Sequence, residues 1–222
     1  MQFSKMLAAA IFAVSLGASA EAATVVVNGT FDNNRTGWTG SYQLRNSGPT
    51  INTGTYFFAG ATGYTEIRQV YSLTAPDIDS LDGPGLNFNM SADLFGYQNQ
   101  YDFSRFSASF RDAGGSQVGY VFLDSRARFP GNWGMTLIAG TSPIYQAISG
   151  LLPSATRSIL FSVSATRTAG TNNDGYADNV SFSLSPVAAV PLPAGLALLS
   201  AAFASLGVFS FRKRRLELSA KP

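Results

Sequence analysis

The sequence predicts an all-β domain, a two-sheet antiparallel jelly-roll sandwich over residues 23–186, flanked by an N-terminal signal peptide and a C-terminal transmembrane helix. Three observations carry this. Apolar and polar residues alternate with a period of two in at least four segments, as half-buried strands require. Stretches rich in Gly, Asn, Pro and Thr separate those segments at 46–55, 125–134 and 167–175. The two apolar runs without that period lie at the chain ends, each flanked by basic residues.

In chain order, residues 1–22 carry Lys5, an apolar run from Met6 to Leu16, and then Ala18-Ser19-Ala20 and Ala20-Glu21-Ala22, both of which fit the small-x-small cleavage rule. A secretory signal peptide is expected there, with Sec-type export machinery and a signal peptidase as partners. Val26 to Asp32 reads as a first strand, and Ile67 to Leu73 as another. Leu86, Phe88, Met90, Ala92 and Leu94 alternate with Asn87, Asn89, Ser91 and Asp93. Phe106, Ala108 and Phe110 alternate with Ser107, Ser109 and Arg111. The run Asp112-Ala113-Gly114-Gly115-Ser116 should join 103–111 to 117–124 as a hairpin, because glycine tolerates the positive φ of a tight turn. Ile159, Phe161, Val163 and Ala165 form the next alternating set, and Val180, Phe182 and Leu184 the last. Only 77–82 and 143–152 suit a short helical turn. About 164 residues suffice for one sizeable core, and eight or nine short strands with long loops indicate a sandwich.

Residues 187–193 form a linker. Ala194 to Phe211 is 18 residues without a charge, about 27 Å as a helix and enough to cross a bilayer core. Residues 212–222 begin with Arg212, Lys213, Arg214 and Arg215, a cluster that the positive-inside rule keeps in the cytoplasm. Just before the span, Pro191 and Pro193 hold Val190-Pro191-Leu192-Pro193-Ala194 extended, a form that a processing enzyme can bind by backbone pairing. These three parts in order resemble the VPLPA variant of the PEP-CTERM sorting signal of exported proteins in Gram-negative bacteria. The resemblance implies recognition by an exosortase-type enzyme, removal of the helix after a transient stay in the membrane, and a final place in the cell envelope, on the surface or in an extracellular (biofilm) matrix.

Charge and composition exclude much chemistry. The chain has a formal net charge of +2, but the basic excess sits in the C-terminal tail; the stretch between the ends has nine Arg, no Lys and eleven acids. A basic nucleic-acid face is therefore unsupported. The chain has no Cys and no His, which removes thiol chemistry, disulfides, the Ser-His-Asp triad and ordinary catalytic zinc sites. Catalysis would have to rest on carboxylates, Tyr, Ser/Thr or Arg; of the acids, Glu66, Asp93 and Asp102 are candidates, and nothing in the sequence pairs any two of them as a glycosidase needs. A non-enzymatic reading is therefore expected, with no cofactor required.

The opening Val26-Val27-Asn28-Gly29-Thr30-Phe31-Asp32 with Gly37-Trp38, the Gln69-containing strand, and the closing Ala177-Asp178-Asn179-Val180-Ser181-Phe182 together resemble carbohydrate-binding modules of the galactose-binding-like jelly roll. That resemblance implies a structural Ca²⁺ between the first and last strands, carried over to Asp32 and Asp178, with carbonyls near Asn28 or Gly29 as helpers; Asp174 could contribute from the preceding loop. The competing reading is that these acids cap turns. Glycans need aromatic faces beside hydroxyl and amide partners. Tyr97, Tyr101 and Asp102, in one polar aromatic loop, and Trp133, in a Gly-rich one, supply that mix, with Trp38 and Tyr56 as secondary platforms. The functional expectation is a binding or structural module for extracellular polysaccharide. Its alternatives are a self-associating matrix scaffold without a glycan site, or a carboxylate-based glycoside hydrolase.

Overall fold

A computed structural model of the chain describes residues 22–46, 54–97, 100–126 and 144–188. Most of the expected signal peptide, Trp133, the Val190–Ala194 motif, the 194–211 span and the basic cluster Arg212–Arg215 lie outside the described residues. The chain divides into two units, Met1–Val187 and Ala188–Pro222, and the sandwich belongs to the first. Among the described residues no helix is long and apolar enough to cross a membrane.

Among the described residues ten strands and one helix succeed one another: β1 (Ala23–Thr24), β2 (Gln43–Arg45), β3 (Tyr56–Gly60), β4 (Tyr64–Ser72), α1 (Ala75–Asp82), β5 (Leu86–Phe95), β6 (Phe103–Arg111), β7 (Gln117–Asp124), β8 (Ile144–Leu151), β9 (Ser158–Thr166) and β10 (Asn173–Pro186). They make two antiparallel sheets. One runs β2-β3-β10-β5-β8, with β1 also on β10; the other runs β4-β9-β6-β7. The predicted all-β two-sheet sandwich is the observed architecture.

Each alternating set turns its apolar members inward. Leu86, Phe88, Met90, Ala92 and Leu94 from one sheet, and Phe106, Ala108, Phe110, Ile159, Phe161, Val163 and Ala165 from the other, are all buried in one core with Phe182. The rings of Phe161 and Phe182 meet at 5.0 Å between centroids, tying the sheets together. The expected hairpin joins β6 to β7: Asp112 Oδ1 accepts the Ser116 N–H at 2.9 Å, and Gly115 takes φ +82.

Three elements differ from expectation. Residues 143–152 are largely strand β8, paired along its whole length with β5. The i, i+4 spacing of Ile144 and Ile148 suits a helix, but the free edge of β5 offers eight backbone partners, and tertiary pairing overrides so short a period. Val26 to Asp32 is a loop, because Asn28 and Phe31 adopt left-handed φ of 52° and 57°. The Asn28 amide nitrogen reaches the Asn33, Asn34 and Thr36 carbonyls, so one side chain shapes the whole turn. The last strand begins at Asn173, earlier than its alternation suggested, with bulges that interrupt the period of two.

Gln69 fixes this loop to the sandwich. It is buried on β4, accepts the Val27 N–H at 2.7 Å and donates to the Val27 and Gly37 carbonyls. Phe31 and Trp38 then stack at 5.7 Å inside the core. Gly29 lies against Val180 so closely that a Cβ would fall 1.8 Å from the Val180 carbonyl oxygen.

Candidate functional site: a serine-floored groove on the four-stranded sheet

On the β4-β9-β6-β7 sheet the outward residues form a grid set by register. Its rows read Glu66, Ser164, Arg105, Asp124; then Arg68, Ser162, Ser107, Phe122; then Val70, Leu160, Ser109, Tyr120. The two inner strands thus carry mainly small hydroxyls, while the outer strands carry bulky side chains. Small residues between large ones make a groove along the strand direction, about 14 Å between outer strand axes and about 14 Å long over these three rows from standard strand spacing and rise. Ser107, Ser109 and Ser162 are only 7–8% exposed although they face outward, as a floor beneath walls must be.

One wall is aromatic. Tyr120 and Phe122 are each 45% exposed, with ring centroids 5.8 Å apart. Arg105 lies over the Phe122 ring at 4.6 Å and is paired with Asp124, which also binds Arg126. The other wall carries Tyr64, Arg68 and Val70, all exposed. Glu66 is ion-paired with Arg68 at 2.6 Å and accepts the Ser162 hydroxyl. Burial opposes its ionisation, but hydrogen bonds from Arg68 and Ser162 outweigh that and hold its carboxyl below the usual range. Rings, hydroxyls and a charged pair therefore line one open surface, a mix that can stack on the apolar faces of a sugar and pair with its hydroxyls.

Of the glycan residues expected from the sequence, Trp133 is outside the described residues, and Tyr97, Tyr101 and Asp102 are not among the residues of this grid. Tyr101 is exposed, but Asp102 beside it is buried and accepts hydrogen bonds from Thr168 N–H, Thr168 Oγ1, Ala169 N–H and Asp174 N–H. Its carboxylate pins the loop after β9 to the start of β10. Tyr97 packs against a second aromatic cluster of Tyr56, Phe58, Phe95 and Tyr176. Trp38 and Tyr56 are buried. The alternation had marked Ser107 and Ser109 as outward residues. Beyond the expected β6–β7 hairpin, what it lacked was the strand order that sets β9 beside β6 and β4 beside β9.

The predicted metal residues part company. A methyl built on Gly54 would sit 3.7 Å from both Asp178 Oδ2 and Asp32 Oδ1, so these two carboxylates flank one backbone position. Asp93 lies directly across the ladder from Asp178. Burial, with Asp93 and Asp32 nearby, pushes the Asp178 carboxyl up to about 7, against one opposing hydrogen bond from Asn179 N–H. Asp174 is about 13 Å further along β10 by strand rise and instead accepts the Tyr176 hydroxyl at 2.5 Å. Among the described residues no three metal-binding side chains converge on one point. A hard cation at Asp32 and Asp178 would need backbone oxygens as well; the Gly29 carbonyl there already accepts Val180 N–H at 3.0 Å. The two acids and their charge fit such an ion; Asp174 does not.

Of the carboxylates considered for hydrolysis, Glu66 and Asp93 stand on different sheets and Asp102 is enclosed by its four donors.

No protein-family model matches the chain, and no curated protein matches it. Solved structures do. The enzymatically active domain of tailspike protein 4 of bacteriophage CBA120 matches at 16% identity and a TM-score of 0.50, over 72% of this chain and 21% of that one, so the match spans about a fifth of the tailspike chain. A family 16 carbohydrate-binding module matches at 17% identity and a TM-score of 0.48, over 71% and 98% of the two chains. A cyclase from Fischerella sp. TAU matches at 9% identity and a TM-score of 0.46, over 76% and 100%. At these identities the likeness is one of fold alone.

Proposed function

We propose that the chain is a non-enzymatic module that binds extracellular polysaccharide in the groove of the four-stranded sheet. The observation that carries this reading is the pair of adjacent exposed rings, Tyr120 and Phe122, beside a sunken row of serines. Two large aromatics side by side on an open face are costly to leave in water and are suited to stacking on a sugar. Affinity electrophoresis of the full chain through gels containing xylan, galactan, mixed-linkage glucan or galacturonan tests it. Retardation by at least one polymer that Phe122→Ala reverses is expected; equal mobility of both proteins in every gel would rule the groove out.

The same reading takes in export and sorting. The chain is delivered by its N-terminal signal peptide, held in the membrane by 194–211, and processed near Val190–Ala194 by an exosortase-type enzyme. Mass spectrometry of the protein from its native host tests this: a C-terminus near that motif supports processing, and a chain ending at Pro222 reduces the tail to an anchor. A structural Ca²⁺ at Asp32 and Asp178 belongs to the same proposal, supported by the approach of two carboxylates that repel when both are ionised.

One observation favours a second reading, a self-associating scaffold. Among the described residues strand β8 is the edge of its sheet, and it exposes Tyr145 and Leu151; an apolar edge can pair with another chain. Sedimentation velocity separates the two: a monomer across concentration disfavours the scaffold.

A further inference from the structure

Beside the groove, and sharing Tyr64 and Glu66 with its rim, lies an open cleft of about 750 Å³ lined also by Arg35, Tyr42, Gln43 and Thr62. Its size is that of a small-molecule pocket, and its charge is unbalanced. Glu66 is neutralised by Arg68 at 2.6 Å. Arg35 has no carboxylate partner among the described residues; its guanidinium lies 5.0 Å from the Tyr42 ring centroid and donates one hydrogen bond, to the Tyr42 carbonyl. Four of its five N–H donors are thus left without a partner among the described residues. A second observation points the same way. Tyr42 is 3% exposed, packed at 5.8 Å on Phe57, and its hydroxyl is buried with no hydrogen-bond partner among the described residues. A buried hydroxyl in that state costs stability unless something completes it.

The geometry points to a second binding site in this cleft, one for a carboxylate-bearing sugar, that is, a hexuronate residue. The planar guanidinium of Arg35 takes the carboxylate, the fit that makes arginine the usual partner of that group. Gln43, Thr62 and the Tyr64 ring receive the hydroxylated body, and a small shift of Tyr42 gives its hydroxyl an acceptor. This site does not depend on the groove: a polysaccharide could occupy either one alone.

The probes are tetragalacturonate and its methyl ester, titrated calorimetrically into the full chain. The acid should bind at least about 10-fold tighter than the ester, the scale of one charge-assisted pair. Arg35→Gln should erase that preference, and Arg35→Lys should keep part of it. Tyr42→Phe should weaken acid binding several-fold with an unchanged or raised Tm, since it deletes an unsatisfied hydroxyl; a merely structural tyrosine would not move the affinity. Equal binding of acid and ester, no binding of the acid, or unaltered acid affinity in Arg35→Gln each overturns the proposal. Phe122→Ala separates it from the groove reading. Acid binding should survive that change, and its loss there would move the carboxylate site into the groove and overturn this one.

Discussion

Replacing Asp178 by asparagine should flatten the dependence of stability on pH between about 5 and 8. Asp178 is buried, faces Asp93 across the β10–β5 ladder and lies near Asp32. Its carboxyl rises from 3.8 to about 7 in the folded chain. A carboxyl raised by folding holds its proton more tightly folded than unfolded. Stability is therefore full below the unfolded value and falls as pH climbs from about 4 to about 7, by about 1.4 kcal/mol per pH unit and about 4 kcal/mol in all. From pH 5 to pH 8, without divalent cations, the loss should be about 3 kcal/mol, or a midpoint lower by roughly 5 to 11 °C for a chain of this size. Groups held below their usual range, Glu66, Asp77 and Asp124 among them, act in the opposite sense and only at more acid pH. The assay is thermal unfolding of both proteins in EDTA at pH 5, 6, 7 and 8. Asparagine can keep the bond from Asn179 N–H while removing the titration. A wild-type midpoint that does not fall over this window, or an Asp178→Asn protein that falls just as far, would mean that Asp178 is not the titrating group. Millimolar calcium should restore the wild-type midpoint at pH 8 and leave Asp178→Asn unmoved, as a cation replacing the proton requires.

Other outcomes rest on the contacts of the loop and the groove. Gln69→Ala strands the Val27 N–H and the Val27 and Gly37 carbonyls and should cost about 3 kcal/mol, read as a lower urea midpoint and faster proteolysis between Val27 and Tyr42. Gly29→Ala forces a Cβ into the Val180 carbonyl; a loss of more than about 2 kcal/mol is expected, and a neutral result would mean that the loop is not held against β10. Tyr120→Ala and Phe122→Ala should each weaken polysaccharide binding about 10-fold, with midpoints within a few degrees of wild type, because both rings are already partly in water.

The alternation of Leu86 to Leu94, Phe106 to Phe110 and Ile159 to Ala165 carried the sandwich, because a period of two leaves little choice of inward face. It did not carry the β8 strand, whose spacing is helical and whose state is decided by the edge of β5. Of the site, the approach of Asp32 to Asp178 was legible through the resemblance of the domain's first and last segments to carbohydrate-binding modules. The groove was not. Ser107 and Ser162 become a floor only because β6 lies beside β9, whose paired residues stand 47 to 63 positions apart; such long-range adjacency is a property of the fold and leaves no local mark, whereas the β6–β7 hairpin that brings Phe122 to the wall was marked by its turn. Tyr97 and Asp102 looked available because their neighbours are polar, whereas the loop uses the first for packing and the second as an anchor.

The function proposed for this chain stands on Tyr120 and Phe122 binding sugar over a serine floor. NMR of the isotope-labelled full chain reads that directly, with backbone amide and aromatic side-chain shifts of β6, β7 and β9 followed as a polysaccharide that retards the protein is added. The perturbed residues should be Ser107, Ser109, Tyr120, Phe122, Ser162 and their neighbours on that face. Perturbations confined to the Tyr97–Asp102 loop or to strand β8, with this face unmoved, would put the sugar elsewhere and remove the groove as its site.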